Sequence, residues 1–190
     1  MFTLGQWGGG VKGRIFTDWQ TIEALPNEFE SSFGLDFGFS GDPAAMVEVK
    51  RHNKKIWCEE IIYKEWLTNA MIKLEFLNAK PDIHPRTARI YADNAEPKSI
   101  KELGTETLIE ATEERQKNYP HCKKYIVTML DQGRSKPYYK LPALYVLPSI
   151  KGADSIRAGI NLLKEYEVFV TSTSKNIWKE NNYYKWAYRS

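Results

Sequence analysis

The stretch FGLDFGFSGDPAAMVEVKRHNKKIWCEEIIY, residues 33–63, decides the architecture. It holds three apolar runs, 33–39, 44–51 and 55–63, rich in β-branched and aromatic residues. Ser40-Gly41-Asp42-Pro43 separates the first two, and His52-Asn53-Lys54 the second and third. Links this short permit only antiparallel neighbours, so the stretch predicts a three-strand meander. Within its first strand a carboxylate, Asp36, stands between Leu35 and Phe37. Alternation puts Asp36 on one face with Gly34 and Gly38, and Leu35, Phe37 and Phe39 on the other. Two glycines beside a carboxylate predict an open trough that a ligand can enter.

Outward from the meander, Leu67, Ala70, Met71, Leu74 and Leu77 recur at helical spacing, predicting a helix over 67–79 with one apolar face, ended by Pro81. A strand is expected at 88–93, closing on a second carboxylate, Asp93. A helix over 96–103, with Pro97 in its first turn, comes next. Then come a strand at 143–150, a helix at 152–166 capped by Asp154 or Ser155, a strand at 167–171, a helix at 172–181 and a terminal strand candidate, NYYKWAYRS. An antiparallel meander continued through helical crossovers makes a mixed sheet with helices on its faces, an α/β fold. Residues 1–31 read as a lead-in or linker ahead of one domain spanning 32–190.

Bulk properties narrow the function classes. A chain of 190 residues with 42% hydrophobic content builds a core without metals or disulfides. The net charge of +3 permits contact with nucleic acid but supplies no basic tail. Cys58 and Cys122 form no C-x-x-C pair, which predicts neither a disulfide framework nor a zinc site and suits a reducing interior. No apolar run approaches a membrane span, and the N-terminus lacks a signal-peptide layout.

Asp93 at the C-terminal end of a strand lies where ligands collect in sheets of parallel character. With Asp36 it could converge on hard divalent cations such as Mg²⁺ or Mn²⁺, which take oxygen ligands. Asp93 equally suits a turn or a helix cap. The DFG triplet at 36–38 has neither a glycine-rich loop upstream nor an H-R-D loop, so a kinase is excluded. A strand bearing D-x-G before a hairpin keeps an actin-like phosphate-binding ATPase open as a rival.

Four blocks in order, GLDFGFSGDPAAMVEV, YADNAEPKSIKEL, KGADSIRAGINLLKEYEVFVT and ENNYYKWAY, resemble the ribonuclease H-like nuclease domain of bacteriophage large terminase subunits. The lead-in LGQWGGGVKGRIFTDW resembles the segment joining packaging ATPase to nuclease in that family. The resemblance implies a metal-dependent endonuclease acting on double-stranded DNA in the cytoplasm of a bacterial host, for a phage or prophage. Its partners in the family are the packaging ATPase domain, the small terminase subunit and the portal. It makes Asp36 and Asp93 the counterparts of the family's first two metal-binding carboxylates, shared by two Mg²⁺ or Mn²⁺ ions. Residues 105–141 match no block and read as an insertion.

Two departures accompany the resemblance. The sequence holds no G-x-x-x-x-G-K-[ST] loop, so no packaging motor is expected in it. The family's third acid, in a D-H-x-x-D-A-like helix after the Tyr-x-Trp strand, has no counterpart before Ser190. Glu180 or Asp154 could substitute, although a structural or surface role is the expectation for both. A truncated, catalytically incomplete product that only binds DNA or a partner therefore stays open. Candidate phosphate contacts are Lys98 and Lys151, each just past a strand of the expected site, and Arg134 with Lys136 and Lys140, interleaved with Tyr138 and Tyr139. Trp57 and Trp66 are expected to pack in the core or at an edge.

Overall fold

The computed structural model describes residues 13–38, 41–150, 152 and 154–185. Its strands are β1 (Gln20–Ile22), β2 (Ser31–Asp36), β3 (Ala44–His52), β4 (Lys55–Lys64), β5 (Arg89–Asp93), β6 (Thr107–Glu110), β7 (Ile126–Asp131), β8 (Arg134–Leu141), β9 (Tyr145–Ser149) and β10 (Glu167–Thr171). The helices are α1 (Asn69–Ala79), α2 (Pro97–Leu103), α3 (Glu113–Asn118), α4 (Ser155–Leu163) and α5 (Lys175–Tyr183). The large sheet has the order β1-β10-β4-β3-β2-β5-β9, with β3 antiparallel to both neighbours and all other pairs parallel. The meander and the parallel strands expected at 88–93, 143–150 and 167–171 are all present. Gln20–Ile22, within the lead-in, adds a strand at the sheet's edge.

Residues 105–141 build a second, antiparallel sheet of order β6-β8-β7. Tyr139 and Leu141 of β8 are fully buried in the main core, beside Ile72, Leu74, Phe76 and Leu77 of α1 and Phe33, Met46, Ile62 and Ile90 of the large sheet. Helix α1 thus lies between two sheets and is buried on more than the one face its spacing predicts: Ile72, Lys73 and Phe76 go inside as well. Thr68 starts it, accepting a hydrogen bond from the Met71 amide.

Lys73 is the polar consequence of that double burial. Its stem packs in the core, and its ammonium donates to the Thr105 carbonyl and to Thr107 Oγ1 at 2.9 Å, joining α1 to the second sheet. Burial pushes its pKa down from 10.5 to about 8. Between those two values the unfolded chain binds the proton that the folded chain has released, so this group adds stability as pH rises. The urea midpoint of the wild type is therefore expected to gain on that of Lys73→Met between pH 8 and pH 10.5. A constant difference would mean that the ammonium is not desolvated.

Other expectations shift. Trp57 packs between Phe29 and Phe169, with ring centroids 5.1 and 5.8 Å away, but Trp66 is 78% exposed at a positive φ. Asp154 occupies the cap position of α4 in a left-handed conformation and makes no side-chain cap bond. Of the terminal strand candidate, Lys185 makes an isolated bridge to Arg14, and 186–190 lie outside the described residues. Cys58 and Cys122 are both free thiols. Among the described residues no helix is long and apolar enough to cross a membrane.

Candidate functional site

Strand register builds the site. Leu35 of β2 pairs with Ala92 of β5 in a parallel ladder, and the same register carried one residue on sets Asp36 beside Asp93. Both carboxylates therefore close adjacent parallel strands at the same level, on the face opposite Leu35 and Ala92. Across the sheet Asp36 pairs with Ala45, Ala45 with Tyr63, and Asp93 with Ser149. One row thus reads Ser149, Asp93, Asp36, Ala45, Tyr63.

Tyr63 enters this row through a bulge. Val47 pairs with Glu60 but Met46 with Ile62, so Ile61 is the extra residue. The inserted residue leaves Ile62 on the α1 face and turns both Glu60 and Tyr63 to the acidic one. There they meet α5. The Glu60 carboxylate accepts from the backbone amides of Asn176 at 3.0 Å and Ile177 at 3.1 Å and from Asn176 Nδ2 at 2.8 Å. A carboxylate from β4 therefore caps the helix, whose first amides and dipole favour negative charge. About one helical turn on, the Tyr63 hydroxyl donates to Glu180 Oε1 at 2.9 Å. That bond, together with burial and the charges of Glu180, Glu60 and Asp42, pushes the Tyr63 phenol above its ordinary pKa and keeps it a donor.

Replacing Glu60 with alanine is expected to cost about 1–2 kcal/mol in urea unfolding, the usual loss for a helix cap. The α5 amides should exchange hydrogen faster, while those of α1 stay as in the wild type. Unchanged α5 exchange would mean that the cap contributes nothing.

An open cleft of about 520 Å³ follows this row, lined by Asp36, Asp42, Asp93, Glu96 and Glu180 together with Tyr63, Ala45 and the turn around Gly38. Its described lining holds five carboxylates and no lysine, arginine or histidine. Such a donor set matches hard divalent cations in kind. As arranged it is no closed shell: among the described residues no three His, Cys, Asp or Glu side chains are grouped tightly enough to hold an ion. Asp93 also accepts from the Ala95 amide at 3.1 Å, so the turn-forming role and a place in the cleft coexist.

Asp36 and Asp93 line the same cleft, and so does Glu180, for which a structural or surface role is the expectation. Asp154 lines a separate hollow beside α4. Lys98 is exposed on α2, 3.9 Å from Glu102. Arg134 is exposed next to the tip of the β7–β8 hairpin, in the sheet that packs on α1, and is not in the cleft lining. Its expected neighbours are engaged elsewhere: Lys136 pairs with Asp131 at 2.8 Å, Lys140 with Glu106 at 3.4 Å, and Tyr139 is core. Lys151 lies outside the described residues. The trough beside Asp36 owes its opening to Gly34, which has nothing within 4 Å of a would-be Cβ; Gly38 instead serves a tight turn with φ +65°.

No family model matches the sequence, and no curated protein matches it. Among solved structures the chain is similar to the nuclease domain of the large terminase g2p of bacteriophage SPP1 with bound Mn. That match has a TM-score of 0.58 and 21% identity, over 92% of this chain and 83% of that one. It is also similar to the large terminase of a thermophilic bacteriophage, with a TM-score of 0.57 and 16% identity over 92% of this chain, which spans 38% of that protein. The fold is thus the ribonuclease H-like mixed α/β arrangement of large terminase nuclease domains, as the sequence resemblance implies.

Proposed function

We propose that this chain is a divalent-metal-dependent endonuclease domain of a phage DNA-packaging terminase, with Asp36 and Asp93 as metal ligands and Glu180 as the third carboxylate of the site. The observation that carries the reading is that Asp36 and Asp93, at the ends of adjacent parallel strands, line one cleft whose described charged groups are all carboxylates. A fold shared with a nuclease domain that holds Mn supports it.

The same charge explains why a cation is required. Five carboxylates repel a DNA phosphate, and at the low effective dielectric of a cleft that repulsion is several times stronger than in water. Asp36 is exposed at a strand end, and Tyr63 holds Glu180 by a hydrogen bond within the same cleft lining. Bound Mg²⁺ or Mn²⁺ would supply a water of lowered pKa and charge neutralisation at the departing oxygen. The substrate is double-stranded DNA in the cytoplasm of a bacterial host, and the partners are the packaging ATPase domain, the small terminase subunit and the portal.

In a supercoiled-plasmid assay the protein is expected to nick DNA with Mn²⁺ or Mg²⁺, to stop on chelation, and to ignore ATP. Mn²⁺ should also raise its melting temperature, since an ion bound only by the folded state stabilises it. Plasmid that stays supercoiled at every metal concentration, with no thermal shift, sinks the proposal; a DNA gel shift without nicking would indicate a binding module.

A further inference from the structure

On the other side of α5 lies a second hollow, of about 400 Å³, lined mainly by apolar groups that include Phe16, Trp19, Ile160, Leu163 and Tyr184. Phe16 stacks on Trp19 with centroids 5.0 Å apart and lies parallel to Tyr184 at 6.1 Å, giving the hollow an aromatic wall. Asn181 belongs to the same lining. It is 4% exposed, and among the described residues neither its amide oxygen nor its amide nitrogen has a hydrogen-bond partner. Leaving a buried amide unpaired is costly, and folded proteins tolerate few such groups. An apolar residue of the same size would avoid the cost.

A primary amide offers one acceptor and one pair of donors side by side, the complement of a heterocyclic base edge. Aromatic walls bind the face of any base. Arg14, which donates to Asn182 Oδ1 at 2.9 Å, sits on the same part of the molecule, through the hydrogen bond from the Ile15 amide to the Tyr184 carbonyl, and Arg157 is exposed on α4 next to Ile156 of the hollow. Arg157 can meet a phosphate, whereas the Arg14 guanidinium already donates to Asn182 Oδ1 and to the Thr17 carbonyl. Glu180 lines this hollow as well as the acidic cleft, so the two sites share a wall.

We infer that the hollow between α4 and α5 is a nucleobase pocket, which takes one unstacked base of a DNA strand whose backbone runs into the acidic cleft. The inference rests on the proposal that this chain acts on DNA, and it adds that the strand is locally unpaired beside the cut.

The test is fluorescence anisotropy with Ca²⁺ in place of Mg²⁺ or Mn²⁺, so that a hard cation offsets the charge of the cleft, using a duplex with a short single-stranded overhang and the same duplex with abasic residues in the overhang. The wild type should bind the base-bearing overhang about tenfold tighter, the usual contribution of stacking a base on an aromatic side chain. Trp19→Ala and Asn181→Leu should each erase that preference. Asn181→Leu, which removes the unpaired amide, should melt no lower than the wild type. Equal affinity of the wild type for the two duplexes overturns the inference, as does a markedly lower melting temperature for Asn181→Leu, which would make the amide a structural group. Plasmid nicking with Mn²⁺, run in parallel, separates the two readings: preference without nicking leaves the pocket and removes the nuclease, while nicking without preference removes the pocket alone.

Discussion

Replacing Asp36 with asparagine is expected to lower metal-dependent plasmid nicking at least about a hundredfold, because a cation's charge stabilisation is worth several kcal/mol and each 1.36 kcal/mol is a factor of ten. The fold should survive the change. Asp36 is exposed, and the hydrogen bond it accepts from the Gly38 amide is a long one, at 3.5 Å. Asparagine keeps the shape of the side chain and removes one of five like charges lining the cleft, so the metal-free variant should melt at or slightly above the wild-type temperature. The thermal gain on adding Mn²⁺, present in the wild type, should be absent. Glu180→Gln should fall between the two, since its amide oxygen still accepts from Tyr63 while the charge is gone. Wild-type nicking by Asp36→Asn would remove this residue from the ligand set. A melting temperature several degrees lower would instead make it structural.

The carboxylate row is legible in the sequence because it depends on local facts. Asp36 interrupts an alternating strand, Asp93 ends another, and short links make β2, β3 and β4 neighbours. Glu180 is not legible in the same way. The sequence shows a helix near it, but its place depends on the Glu60 cap, 116 residues away from Asn176 in sequence, and on the bulge that turns Tyr63 toward it. Neither a long-range cap nor an extra residue in a ladder leaves a periodic trace. The second sheet escapes a sequence reading for a related reason. Its strands are half exposed, β6 spans only four residues, and Pro137 interrupts β8, which weakens the strand signal. Without that sheet α1 looks one-sided, and a buried ammonium at Lys73 has no motive. A signal for it does exist: Lys73 sits among Met71, Ile72, Leu74, Phe76 and Leu77, a run too apolar for a helix with one wet face.

Gly38 tests whether the turn that presents Asp36 is as constrained as its geometry implies. Its φ of +65° already disfavours an L side chain by about 1–2 kcal/mol. A Cβ there would stand 2.4 Å from the Asp42 carbonyl oxygen, 2.6 Å from the Pro43 carbonyl carbon and 2.7 Å from the Ala44 nitrogen. All three are backbone atoms leading into β3 at Ala44, next to the pair Ala45–Asp36, so they cannot retreat without disturbing the β2–β3 ladder. Gly38→Ala is therefore expected to destabilise by about 2–4 kcal/mol, a drop of roughly 10 °C in a chain of this size. Gly34→Ala, on the strand that leads into this turn, is the control: nothing lies within 4 Å of its Cβ position and its φ is ordinary, so its melting temperature should stay within a few degrees of the wild type. Differential scanning calorimetry of the three proteins decides it. If Gly38→Ala melts with Gly34→Ala, the turn yields easily, and the position of Asp36 must then be fixed by the β5 ladder and not by the hairpin. If the two separate as expected, Gly38→Ala should also lose Mn²⁺ stabilisation below its melting point, because the clash displaces the strand end that carries the first carboxylate.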